Sequence, residues 1–303
     1  MKICLVGGSG FIGTATSKLF HTKGYDFNIL DINQPTASEL LKYWGYVDVL
    51  DYTNYFNLIS ALKPTILFYF PAVHVVTETA ELPLHACDLN IRGLYNTLDI
   101  CRKLHIKIVF PSTVHVYQLC DTDAVDESCA LNLNTKSNIY SSSKICGEVL
   151  VRSFNDMFDM DYIIMRYGSA YGVNCRGGIA IAAFVDKILN KEPVRIFGDI
   201  NQSRNFLNVK DHALANDRIV LSGIKNEIIN FDGSERLTLS RIINDISVHL
   251  DEPVRIEYCG EVKNIYKNRN VSISKANQIL GWAPTVNWGD GLSEYVEHRR
   301  NNR

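Results

Sequence analysis

The sequence holds no long hydrophobic run. That removes a membrane-spanning helix, which needs about 20 consecutive apolar residues. The first apolar run, Ile3 to Val6, stops at glycine and is too short for a signal-peptide core. No basic block exists either: 31 Lys and Arg stand against 33 Asp and Glu, leaving a net charge of −2. Nucleic acid and anionic membrane are therefore poor partners. Eight cysteines are scattered, with no C-x-x-C and no Cys/His pairs at ligand spacing. This excludes a zinc site and a disulfide framework, leaves no metal to expect, and reads as reduced thiols in a cytoplasmic protein. Asn201-Gln-Ser and Asn270-Val-Ser match the glycosylation pattern, which has no meaning without secretion. Internal repeats and low-complexity segments are missing, which excludes a solenoid.

What is present suits an α/β protein. The 303 residues allow one large domain or a larger and a smaller one sharing an interface. Lys2 to Val6 reads as a buried parallel strand. It runs into Gly7-Gly8-Ser9-Gly10-Phe11-Ile12-Gly13, then a helical pattern to Lys23. Gly7, Gly10 and Gly13 either cradle a pyrophosphate at a helix N-terminus or merely make a tight turn. A P-loop would need lysine after Gly13, where Thr14 stands, so that reading fails. A second strand, Tyr25 to Leu30, ends at Asp31, eighteen residues past Gly13. An acid there accepts from adenosine ribose hydroxyls and favours NAD over NADP; the alternative is a turn or helix cap.

Further strands are expected at Tyr46–Val49, Thr65–Phe70, Ile106–Phe110 and Asp161–Arg166, with a Thr-capped helix at Thr53–Leu62 and one long helix at Pro83–Leu104. The rhythm is that of a parallel sheet with right-handed crossovers. Loops at Pro71–His74 and Pro111–Thr113 then share a rim with the glycines. Thr113 bonds either a substrate oxygen or its own backbone. After Tyr171 the pattern changes. A helix (Ile179–Asn190), a strand (Val194–Phe197) and the segment Arg204–Val209 follow. A helix at Asp211–Leu221 and a strand at Glu227–Phe231 return to the main sheet. A further helix (Leu239–Leu250) and strand (Val254–Tyr258) come next. The tail with Trp282, Pro284 and Trp288 packs back and ends in a basic, frayed terminus.

The predicted helix Ile139–Phe158 carries Tyr140 and Lys144, four apart on one face. Free tyrosine titrates near pKa ~10, too high for a base at neutral pH. A neighbouring ammonium and a cationic cofactor ring favour the phenolate. Lowering that pKa by about three units takes roughly 4 kcal/mol of differential stabilisation.

Taken in order, these motifs resemble the extended short-chain dehydrogenase/reductases, in their nucleotide-sugar epimerase/dehydratase branch. The matching stretches are GGSGFIG at Gly7, LDIN around Asp31, DVLD at Asp48, PAVH after the fourth strand, DLNIRG at Asn90, PSTVHVY at Thr113, YSSSK at Tyr140, RYGSAYG at Arg166, FGDINQSRNFLNV ending at Val209 and NFDG at Asn230. The resemblance implies an α/β fold: a doubly wound Rossmann sheet over 1–171, with 209–232 returning to it. A smaller α/β region, 172–208 and 233–303, would take the sugar nucleotide. It implies Thr113, Tyr140 and Lys144 as catalytic residues, with Tyr140 the general base and Lys144 also on the nicotinamide ribose. Gly7, Gly10, Phe11, Ile12, Gly13, Asp31, Asp48, Val49, Ala72 and Asn90 would hold NAD, Asp48 and Val49 flanking the adenine. Arg204 would grip the diphosphate or else form a surface ion pair. Asn174 and Arg176 are further substrate candidates.

This chain departs from the family at several places. Val114 and His115 stand where sugar 4,6-dehydratases carry Asp-Glu, which argues against elimination. Ser169 replaces the Asn of many 4-epimerases, and Gln118 a glycine. His74 and His115 line the expected sugar pocket, as auxiliary acid/bases or as packed loop residues. The resulting expectation is an NAD-dependent epimerase acting on a nucleoside-diphosphate sugar through a transient keto sugar at carbon 4. The alternatives are a net dehydrogenase or ketoreductase, a 4,6-dehydratase, and a silent NAD-binding protein. A homodimer through the helix after Pro83 and the helix bearing Tyr140 is also implied.

Overall fold

The computed structural model describes residues 1–175, 180–260 and 269–302. Strand β1 (Ile3–Val6) leads into helix α1 (Phe11–Thr22), then β2 (Phe27–Asp31), β3 (Trp44–Tyr46), α2 (Tyr52–Leu62) and β4 (Ile66–Tyr69). Next come α3 (Val76–Glu81), α4 (Pro83–Cys87), a π-helical turn (Asp88–Gly93), α5 (Leu94–Leu104) and β5 (Lys107–Thr113). A 3-10 turn (Val114–Leu119), β6 (Ala124–Val125), α6 (Ile139–Phe158) and β7 (Tyr162–Tyr167) follow. The remainder runs β8 (Ser169–Tyr171), α7 (Ala180–Leu189), β9 (Val194–Ile196), β10 (Ser203–Asn208), α8 (Val209–Ser222) and β11 (Glu227–Phe231). It closes with β12 (Arg236–Thr238), α9 (Leu239–Leu250), β13 (Ile256–Tyr258), β14 (Asn270–Val271), α10 (Ser274–Leu280) and α11 (Trp288–Asn301).

Seven strands form one parallel sheet in the order β11-β7-β5-β4-β1-β2-β3. Alternation along each strand explains why these runs are apolar throughout. Ile3, Leu5, Ile29 and Phe68 face one layer with Phe20 of α1 and Ile219 of α8. Cys4, Val6, Leu30 and Leu67 face the other, with Ile59 of α2, Leu98 of α5 and Val151 of α6. The strand order reverses at β1, which lies between β4 and β2. The crevice outside its C-terminal end is where a doubly wound sheet takes its ligand. Strand β11 returns to this sheet beside β7, as its sequence suggested. A three-stranded sheet (β12-β10-β8) and a two-stranded one (β13-β9) enclose a separate apolar cluster with α7, α9 and α11.

Several local expectations are corrected. The third strand is Trp44–Tyr46, not Tyr46–Val49. Val47 and Val49 are buried by packing against the α2 and α5 layer, while the Asp48 carboxylate accepts from the Leu50 amide in a turn. Asp51, not Thr53, caps α2, accepting from the Asn54 amide. The long helix at Pro83–Leu104 is interrupted by the π turn, and α3 precedes it unforeseen. Strand β5 runs on through Thr113. The terminus is helical through Asn301, its first turn capped by Asn287.

Candidate active site

The glycine loop owes its shape to missing side chains. Gly7 sits at φ +74°, a conformation open to glycine, and a Cβ there would meet Pro71 at 2.9 Å. At Gly13 a Cβ would lie 2.5 Å from the Gly7 carbonyl oxygen. The turn therefore folds tightly and presses on the Pro71–His74 loop. Helix α1 starts at Gly10 with no side-chain cap, so its first amides face outward without a capping oxygen. Among them lies the Ser9 hydroxyl, buried without a hydrogen-bond partner. Asp31, at the tip of β2, accepts from the Ser9 amide at 3.0 Å and the Asn33 amide at 2.9 Å. An orphaned buried hydroxyl, a cradle that a Cβ would fill and a carboxylate at the rim fit a dinucleotide.

Asn90 explains the π turn. It is buried, accepting from the Val73 amide at 2.8 Å and donating to the Val73 carbonyl at 3.0 Å and the Ser143 hydroxyl at 3.0 Å. One side chain thus ties the loop after β4, where Ala72 lies, to α6 beside Lys144. Asp48 and Val49 sit at the end of β3. Val49 is buried, and a Cβ on Gly93 would reach it at 2.8 Å.

Helix α6 forms as expected, with Asn138 accepting from the Ser141 amide. The Thr113 hydroxyl acts on the Tyr140 phenol, favouring its charged form. Thr113 accepts from the His115 amide at 3.2 Å, the bond to neighbouring backbone that the sequence allowed. Lys144 is buried and donates to the Pro111 carbonyl at 2.7 Å, its ammonium 4.8 Å from the centre of the Phe110 ring. Burial pushes Tyr140 up to about 12, the Thr113 hydroxyl opposing only part of it. Lys144 is brought down to about 8, by burial first, with Glu148 acting against it. A phenolate here needs positive charge beside it that offsets this desolvation.

The remaining candidates divide. The His115 ring stands edge-on to Tyr140 with centroids 6.2 Å apart. Burial, then the Arg204 charge, lowers its pKa to about 4, so it is a neutral imidazole. That interaction brings Arg204, on β10, to the same pocket. His74 is exposed on the rim; the protein packed around it lowers its pKa, and the Lys144 charge adds to this. Asn174 lies exposed in a turn at φ 68°. Arg176 falls outside the described residues. Among the described residues, no group of three or more His, Cys, Asp or Glu side chains could hold a metal.

Sequence reasoning missed the polar unit behind Tyr140 and Lys144. Arg166 of β7 donates to both Glu148 oxygens, at 3.0 and 2.7 Å, and to the Tyr117 hydroxyl at 2.8 Å. Tyr117 donates to Asn230 at 2.8 Å, and the Ser112 hydroxyl donates to Glu148. The signal was readable: Glu148 follows Lys144 by four on the same helix.

A family model described as the NAD dependent epimerase/dehydratase family matches residues 3–231. A protein of Methanocaldococcus jannaschii, provisionally named a UDP-glucose 4-epimerase, is 30% identical, covering 99% of both chains. A dTDP-glucose 4,6-dehydratase of Haemophilus influenzae is 25% identical over 98% of this chain and 97% of its own. The crystal structure of a UDP-glucose 4-epimerase from Thermotoga maritima, with UDP-glucose, superposes with a TM-score of 0.90 at 23% identity, covering 99% of each chain.

Proposed function

Because this chain belongs to the NAD-dependent epimerase/dehydratase family, we propose that it is an NAD-dependent epimerase of a nucleoside-diphosphate sugar, working through a transient keto sugar at carbon 4. The observation that carries this is Tyr140 on α6, one helical turn before the buried Lys144, with Thr113 acting on its phenol. The Gly7–Gly13 loop, Asp31, Ala72 and the Asn90 clamp would hold the dinucleotide. When bound, it supplies a two-electron acceptor and a positive ring. That charge, added to Lys144, opposes the burial that now keeps the phenol protonated. Tyr140 then takes the proton of the sugar hydroxyl and returns it to the keto oxygen, while Thr113 holds the same oxygen in place. Residues 172–208 and 233–303 would form the sugar-nucleotide region, where Arg204 suits a diphosphate. His115, neutral at neutral pH, can accept from a sugar hydroxyl. Val114 is buried and apolar, so no acid–base pair follows Thr113, and elimination is not favoured.

The test uses purified protein with UDP-glucose or dTDP-glucose and no added NAD, followed by proton NMR of the sugar. Inverted configuration at carbon 4 is expected, and Tyr140→Phe should lower the rate by about a hundredfold or more. Steady accumulation of reduced nicotinamide would instead favour the net dehydrogenase. A 4-keto-6-deoxy product would favour the dehydratase.

A further inference from the structure

Tyr140, Lys144 and Glu148 form a stripe on α6 at successive turns. Two of them are bonded to the end of β5, Lys144 to the Pro111 carbonyl and Glu148 to the Ser112 hydroxyl, and Thr113 there acts on the Tyr140 phenol. Arg166 lies beside Ser112 in the strand register and forks onto Glu148. Tyr117, from the 3-10 turn, and Asn230, from β11, close the set. Glu148 and Arg166 are both buried. A buried ion pair adds little stability over apolar side chains of equal volume, so its consequence lies in what it faces.

It faces Lys144. The charged and titratable groups that act with it are Glu148 on α6 and His74 in the loop after β4, with Arg166 of β7 and Tyr117 of the 3-10 turn bonded behind Glu148. Strand β5 contributes only a carbonyl and the Phe110 ring. Glu148 is the negative charge that acts on the ammonium. We infer that Glu148 and Arg166 are positioning residues for the site: Glu148 keeps Lys144 charged, and Arg166, with Ser112, fixes that carboxylate against the strand end carrying Thr113. This deepens the proposed function and rests on it for its catalytic meaning. Burial alone would strip the proton from Lys144 near neutral pH, and with it the cation that favours a phenolate.

The experiment reads Lys144 directly. Protein carrying lysine with carbon-13 at Cε is titrated by NMR without substrate, and the Lys144 resonance is assigned by its loss in Lys144→Met. In Glu148→Gln the midpoint should fall by about one pH unit or more. Glu148→Asp, which keeps the charge, should stay closer to the native midpoint than Glu148→Gln does. Glu148→Gln leaves Arg166 buried and unpaired, which can prevent folding. The double variant Glu148→Met/Arg166→Met leaves no unpaired charge and should show a fall in the same direction, smaller because a cation goes with the anion. A native midpoint in whichever of these two variants folds overturns the inference. If native protein shows no epimerisation, the functional reading fails while the midpoint result stands. If it epimerises, the alkaline limb of its rate profile should move down with the midpoint.

Discussion

Asp232 sits at the end of β11, buried, its carboxylate accepting from the Gly233 amide. Gly168 leaves room for it: a Cβ there would lie 2.1 Å from the carboxylate oxygen. Burial raises its pKa from 3.8 to about 7, the Gly233 amide opposing. The sign of the linkage follows. Between the unfolded and folded values the native state binds the extra proton, so stability falls as pH climbs from about 4 to about 7 and stays low above. The loss is at most about 4 kcal/mol. Asp232→Asn removes the charge without changing the shape. Thermal melts of both proteins should show the variant gaining on the native chain at pH 8 but not at pH 4. A gap that does not vary with pH would sink this account. The same physics governs Tyr140, whose burial raises its pKa and must be offset by positive charge before a phenolate forms.

At the scale of elements, the glycine loop and α1 act together. Gly13→Ala would force a Cβ onto the Gly7 carbonyl at 2.5 Å and the Gly8 Cα at 2.7 Å, both backbone atoms. The loop must shift. We expect a destabilisation of about 1–3 kcal/mol and at least a tenfold weaker affinity for NAD, measured by calorimetry. Gly24→Ala is the control: its φ of +70° also strains a side chain, but nothing lies within 4 Å. It should cost about 1 kcal/mol and leave NAD affinity alone. Equal affinities in the two variants would break the link between loop shape and binding. Much of this was legible. The glycines and the helical run Ile139–Phe158 are local signals, and the helix bearing Tyr140 has the expected bounds. What was not legible depended on tertiary contacts. Val47 and Val49 are buried by helices rather than by a ladder, so alternation misplaced β3. DLNIRG looks like ordinary helix, but its π turn carries tertiary bonds, from Asn90 to Val73 and Ser143 and from the Tyr69 hydroxyl to the Leu89 carbonyl. Glu148 was visible at its spacing from Lys144, but Arg166 reaches it through the pairing of β5 with β7.

At the scale of the molecule, α5 and α6 do two things. Their inner faces carry the core and, through Lys144 and Ser143, the site. Their outer faces carry Tyr95, Val149, Met157 and Phe158, all exposed, with Leu84 exposed on α4. Two of these join through Phe154, with Tyr95 edge-on to it at 5.6 Å and Phe158 at 5.3 Å. An apolar face of this kind on two neighbouring helices suits a second copy of the chain, each helix pair meeting its twin. A stable pair buries about 800 Å² per partner. Its closure would also hold α6 steady behind Tyr140. We expect a dimer by sedimentation velocity at micromolar protein, and a monomer from the double variant Val149→Glu/Met157→Glu, which puts like charges on the patch. If the pair matters to the site, that monomer should also bind NAD more weakly than the native protein. A native chain that sediments as a monomer would leave this face without a partner and remove the homodimer from the proposal.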